Sequence, residues 1–148
     1  MNSPLVDPNR KSLGVLLRYP YELLADWLYG RLGEEFPGVR LPHSAVLRGL
    51  ESGGSRVVDL AARAGMTKQS MAYLVEQLCE LGYLRVAADP NDGRAKRVQL
   101  TASGERLYAR ALELSAQAEE GLAVTLGEAD AHELRRILER LHGRWSPR

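Results

Sequence analysis

The chain has 148 residues, 45% hydrophobic and 26% charged, with a formal net charge of +1. A chain of this length buries roughly two-thirds of its unfolded surface and is expected to fold as one globular domain rather than stay disordered. Near-neutrality excludes a protein coated in Lys and Arg, though not one with a local basic face; the lack of about 18 consecutive apolar residues excludes a membrane span; and a lone cysteine excludes an internal disulfide or a thiolate zinc cage.

The elements follow in chain order. After a polar start, Leu13, Leu16, Leu17, Tyr21, Leu24, Trp27, Leu28 and Leu32 recur at the spacing of an amphipathic helix. Pro20 interrupts that pattern, and either kinks the helix or opens its second part. Phe36-Pro37-Gly38-Val39-Arg40-Leu41 is a breaker loop, after which Pro42 suits the first turn of a short helix carrying Val46, Leu47 and Leu50. Glu51 to Ser55 is a turn. A helix from about Val57 to Ala64 stops at Gly65, and the next opens on Thr67 and runs to about Leu81, ended by Gly82. Tyr83 to Ala88 reads as a strand, Pro90-Asn91-Asp92-Gly93 as turn chemistry, and Arg97 to Leu100 as the returning strand. Thr101 caps a long helix striped with Leu107, Ala111, Leu114, Ala118 and Leu122. Gly127 breaks it, and a last helix carries Leu134, Ile137, Leu138 and Leu141. The fold class is therefore mainly α with one small β-hairpin.

The pair of helices around Gly65 has the pattern of a helix–turn–helix. Small Ala61 lets the helices cross closely, and Gly65 supplies the left-handed conformation where a Cβ costs roughly 1 kcal/mol. Met71, Leu74, Val75 and Leu78 form an inward stripe, which leaves Gln69, Ala72, Tyr73, Glu76 and Glu80 outward. The polar first turn, Thr67, Lys68, Gln69 and Ser70, suits a helix end that meets base edges in a major groove. Gln69 is matched to adenine, Lys68 to guanine or phosphate, and Thr67 and Ser70 to phosphate, to plain capping, or to both. Ala72 lies on the same face, and Tyr73 either touches a thymine methyl or phosphate or packs beside the hairpin. Glu76 and Glu80 repel phosphate and confine groove contact to the first two turns.

Arg85, Arg94, Lys96 and Arg97 gather on the hairpin that follows. A helix–turn–helix with a basic hairpin beside it reads as a winged helix–turn–helix that grips double-stranded DNA. Asp92, two residues before Arg94, is expected to hold its guanidinium extended toward a minor groove, while Lys96 and Arg97 take phosphates.

Leu41-Pro42-His43-Ser44-Ala45-Val46-Leu47, Leu60-Ala61, Leu81-Gly82-Tyr83-Leu84, and above all Asp92-x-Arg94 with Val98-x-Leu100-Thr101-x-x-Gly104, carry a resemblance. Over about residues 41 to 107 the chain resembles the MarR family of bacterial transcription regulators. Gly93 inside the Asp92-x-Arg94 motif and Pro20 in the first helix depart from the family pattern. The resemblance implies dimerising N- and C-terminal helices (1–36 and 102–148) around a DNA-binding lobe (37–101). It also implies a homodimer on a pseudo-palindromic operator, and repression relieved by a small-molecule effector or an oxidant. The large–small alternation from Leu107 to Leu122 independently favours close helix pairing. An effector pocket is expected between the dimer helices and the lobe, with Tyr21, Trp27 and His43 as its candidates.

Other chemistry is disfavoured. His43, His132 and His142 are far apart and the acids lack metal spacing, so neither a metal nor a cofactor is expected. No phosphate loop, nucleophile elbow or Cys–His pair indicates an enzyme. Cys79, at the edge of the inward stripe, reads as a packing residue rather than a thiol sensor. Without an apolar leader the expected setting is cytoplasmic. The competing class is a winged helix repurposed for protein–protein contact; retention of both polar clusters favours DNA.

Overall fold

The computed structural model describes residues 11–144. Helix α1 (Leu13–Glu35) starts where the Ser12 hydroxyl accepts the Val15 N–H at 3.4 Å, and it runs unbroken through Pro20. The proline ring withdraws one hydrogen bond, to the Leu16 carbonyl, but it does not open a second helix. A 3-10 turn (Leu41–His43) leads into α2 (Ser44–Leu47), so Leu50 lies beyond the short helix expected to carry it. Helices α3 (Val57–Ala64) and α4 (Lys68–Glu80) are separated by Gly65, whose φ of 62° ends α3 in the left-handed region. Leu60, Ala61, Met71, Leu74, Val75 and Leu78 are buried where the two helices lie together. Full burial of one such leucine contributes about 1.5–3 kcal/mol.

Strand β1 (Leu84–Asp89) pairs antiparallel with β2 (Asp92–Leu100) from Leu84↔Leu100 to Ala88↔Lys96. The turn differs from the sequence expectation. It consists of Pro90 and Asn91 alone, and Asp92-Gly93 already belongs to β2, which starts well before Arg97. Ser55 bridges β2 as a one-residue third strand: its N–H donates to the Val98 carbonyl (3.0 Å) and the Val98 N–H donates back (2.8 Å). Gly54 makes that approach possible, since its φ is 85° and a Cβ would come within 2.8 Å of the Val98 carbonyl oxygen.

Thr101 caps α5 (Ala102–Leu126) by accepting the Gly104 N–H at 3.1 Å, while its hydroxyl donates to the Gly82 carbonyl at 2.6 Å. Gly104 is required here because any Cβ would overlap the carbonyl oxygen of Tyr83. The chain divides into two compact units, with the boundary between Ala111 and Leu112 inside α5. The first holds α1 to the start of α5. The second holds the rest of α5, Gly127 (φ 86°) and α6 (Glu128–Arg144), joined through Arg135, which pairs with Glu119 and Glu139.

Candidate nucleic-acid interface

The inward stripe of α4 decides what faces out. With Met71, Leu74, Val75 and Leu78 buried, Lys68, Gln69, Ala72 and Tyr73 are all exposed, Tyr73 by 61%. Thr67 is extended (ψ 151°); its Oγ1 accepts the Ser70 N–H at 3.1 Å and donates to Ser70 Oγ at 2.9 Å. Thr67 thus caps the helix, and both hydroxyls remain on exposed residues. Gln69, Ser70, Ala72, Tyr73 and Glu76 line a surface hollow of about 520 Å³. Farther along, Gln77 pins α4 to the 3-10 turn through a 3.1 Å bond from Oε1 to His43 Nε2.

The hairpin tip is built by an irregular register. Ala88 pairs with Lys96, yet its neighbour Asp89 pairs with Asp92, so Gly93, Arg94 and Ala95 bulge out of the ladder. Arg94 and Lys96 are exposed, and among the described residues no carboxylate pairs with either. Asp92 does hold Arg94, but by its backbone: Oδ1 accepts the Arg94 N–H at 3.1 Å, and the guanidinium is left unheld. The expected carboxylate–guanidinium pair is replaced by an Asx turn.

Arg97 also departs from expectation. Its Nε lies 3.0 Å from Asp89 Oδ2 and its Nη1 donates to the Gly54 carbonyl at 3.3 Å, so it is tied to the wing root instead of reaching for phosphate. Asp89 was not singled out from sequence, and neither was Arg56, which precedes α3. Arg56 Nε and Nη2 donate to the same Oδ2 at 3.0 and 2.9 Å, and its Nη2 stands 3.9 Å from Asp92 Oδ2. The Asn91 N–H donates to Asp89 Oδ1 at 2.9 Å. The carboxylate is fully buried, and the Asn91 N–H followed by Arg97 and Arg56 holds its pKa down to about 2. An acid just before a Pro-Asn turn is a local signal that could have been read. Arg56 gives none, standing 33 residues away from its partner.

The effector candidates differ in exposure. His43 is 1% exposed; its Nδ1 accepts the Arg40 N–H at 3.1 Å, which leaves Nε2–H to donate to Gln77. Burial lowers its pKa, which favours the neutral ring. Tyr21 is exposed, and the Arg31 guanidinium lies 4.8 Å from the Trp27 ring centre. Cys79 is half-buried, and burial followed by the Glu76 carboxylate raises its thiol pKa, which disfavours the reactive thiolate. Among the described residues no helix is long and apolar enough to cross a membrane.

Comparison with known proteins covers the same region. A family model described as the MarR family matches residues 38–95. The transcriptional regulator HosA of Escherichia coli O111:H- is 32% identical over 91 residues, 61% of this chain and 67% of that protein. The HTH-type transcriptional repressor Mb2911 of Mycobacterium bovis is 31% identical over 105 residues, covering 70% and 76% respectively. Among solved structures, the MarR family protein Rv2887 of Mycobacterium tuberculosis, in complex with salicylic acid, superposes with a TM-score of 0.68. It is 29% identical and covers 91% of this chain and 99% of that one.

Proposed function

Because the chain belongs to the MarR family of DNA-binding transcription regulators, we propose that it is a repressor that binds a pseudo-palindromic operator as a homodimer. The observation that carries this reading is the pairing, within one compact unit, of an exposed polar helix end with a bulged basic wing tip. Lys68, Gln69, Ala72 and Tyr73 meet base edges and thymine methyls, with Thr67 and Ser70 at phosphate. Arg94 enters the flanking minor groove, and Lys96 takes backbone phosphate. Asp92 and Arg97 shape the wing without touching DNA.

Dimerisation is supported by apolar surface that a lone subunit leaves in water. Leu13 and Leu23 on α1 are 70% and 71% exposed, and Val124 on α5 is 87% exposed. Large apolar exposure of this kind marks contact surface. Residues 1–36 and 102–148 are the dimerisation region and 37–101 the reading lobe. A two-fold axis would set the two recognition helices about 34 Å apart, one DNA turn. A small-molecule effector that releases DNA is supported by the salicylic acid complex of the 29%-identical Rv2887, with Tyr21 and Trp27 as the ring-bearing candidates. The working site is the cytoplasm.

Selection of bound sequences from a random duplex pool tests the reading. An enriched inverted repeat with half-sites one turn apart is expected. Enrichment of nothing, or of a single unrepeated half-site, overturns the dimeric operator.

A further inference from the structure

One buried carboxylate joins the reading helices to the wing. Arg56 sits at the N-cap of α3, and its guanidinium reaches across 33 residues of sequence to Asp89 at the end of β1. Asp89 in turn closes the Pro90–Asn91 turn through the Asn91 N–H and pairs in the ladder with Asp92. Asp92 also faces Arg56 at 3.9 Å and accepts the Arg94 N–H. An unbroken chain of contacts thus runs from the start of the helix–turn–helix to the backbone of the one arginine at the bulge's centre. Without it, three looped-out residues on a two-stranded ribbon would have little to fix their direction, since an isolated hairpin is only marginally stable.

We propose that Asp89 and Arg56 are positioning residues for DNA binding, which fix where Arg94 stands relative to the recognition helix. This rests on the wing-contact reading given above. The charge sign separates it from simple electrostatics. Neutralising Asp89 makes the wing more positive, so a field effect alone would tighten binding to a polyanion. Loss of position weakens it.

The test is a double-mutant cycle on the duplex recovered from random-pool selection, with Kd measured across a salt series. Arg94→Ala is expected to weaken binding about tenfold and to flatten the log Kd against log salt slope by about 0.9. Asp89→Asn is expected to do the same, and the double variant to lose no more than about twofold beyond either. Multiplying losses in the double variant, or tighter binding by Asp89→Asn, overturns the proposal. Should Asp89→Asn not fold, Arg56→Gln takes its place, because its side chain is 40% exposed and its replacement leaves Arg97 on the carboxylate. Full affinity of Arg94→Ala removes the wing contact itself and overturns both readings, a result that additivity does not mimic.

Discussion

Gln69 and Lys96 divide recognition between them, and the division is testable. Gln69 is exposed on the first turn of α4, where a carboxamide can pair with adenine in two places at once. Gln69→Ala is expected to relax preference at one operator position, at a cost of about 1–3 kcal/mol for the matched base, with the salt dependence unchanged. Lys96→Ala is expected to weaken all duplexes alike and reduce the salt slope by about 0.9. Competition of single-substituted operators across a salt series reads both. Arg97 shows why type and position in sequence are insufficient: it carries the same charge and lies one residue from Lys96, yet Asp89 has already claimed it.

Among the elements, α4 is the one whose ends and faces the sequence defines most fully. Thr67 as cap, four buried residues at helical spacing, and a glycine after Leu81 all agree. Removal of the cap in Thr67→Ala is expected to destabilise the fold by about 1 kcal/mol, read as a lower urea midpoint at unchanged slope. An equal midpoint would show that Ser70 or water takes over the cap. The hairpin is less legible. Asp-Gly is a strong turn signal, but Asp89 competes for the turn by accepting the Asn91 N–H, and the ladder closes two residues earlier. Helix α1 runs unbroken over Pro20 because one lost bond in a helix of 23 residues is outweighed by the packing of Ala25 and Leu32.

Asp89 also makes the stability of the folded chain depend on acid. Its pKa is depressed from 3.8 to about 2, so between those values the unfolded chain binds more protons than the native one and stability rises with pH. The contribution is complete above the unfolded value and is lost as pH falls through about 2. Thermal melts from pH 5 to pH 2 should show a steep decline that Asp89→Asn flattens. An equally steep decline in that variant would assign the acid sensitivity elsewhere. His43 acts in the same sense at higher pH, since burial lowers its pKa: the unfolded chain binds the extra proton first, and stability is lost as pH falls below the ordinary histidine range.

The periodicities of α3, α4 and α5, the caps at Thr67 and Thr101, and the left-handed glycine at 65 are readable from the chain, because each depends on contacts within a few residues. The exposed reading face follows from the same local rule, since burying one stripe of a helix exposes the other. Only the folded structure could decide which cations are available. Arg56, Arg94 and Arg97 look alike in sequence, and a single carboxylate buried by distant segments leaves Arg94 to the solvent while holding the other two. Partnering of charges is a long-range property, fixed by which segments meet and how much water is left between them.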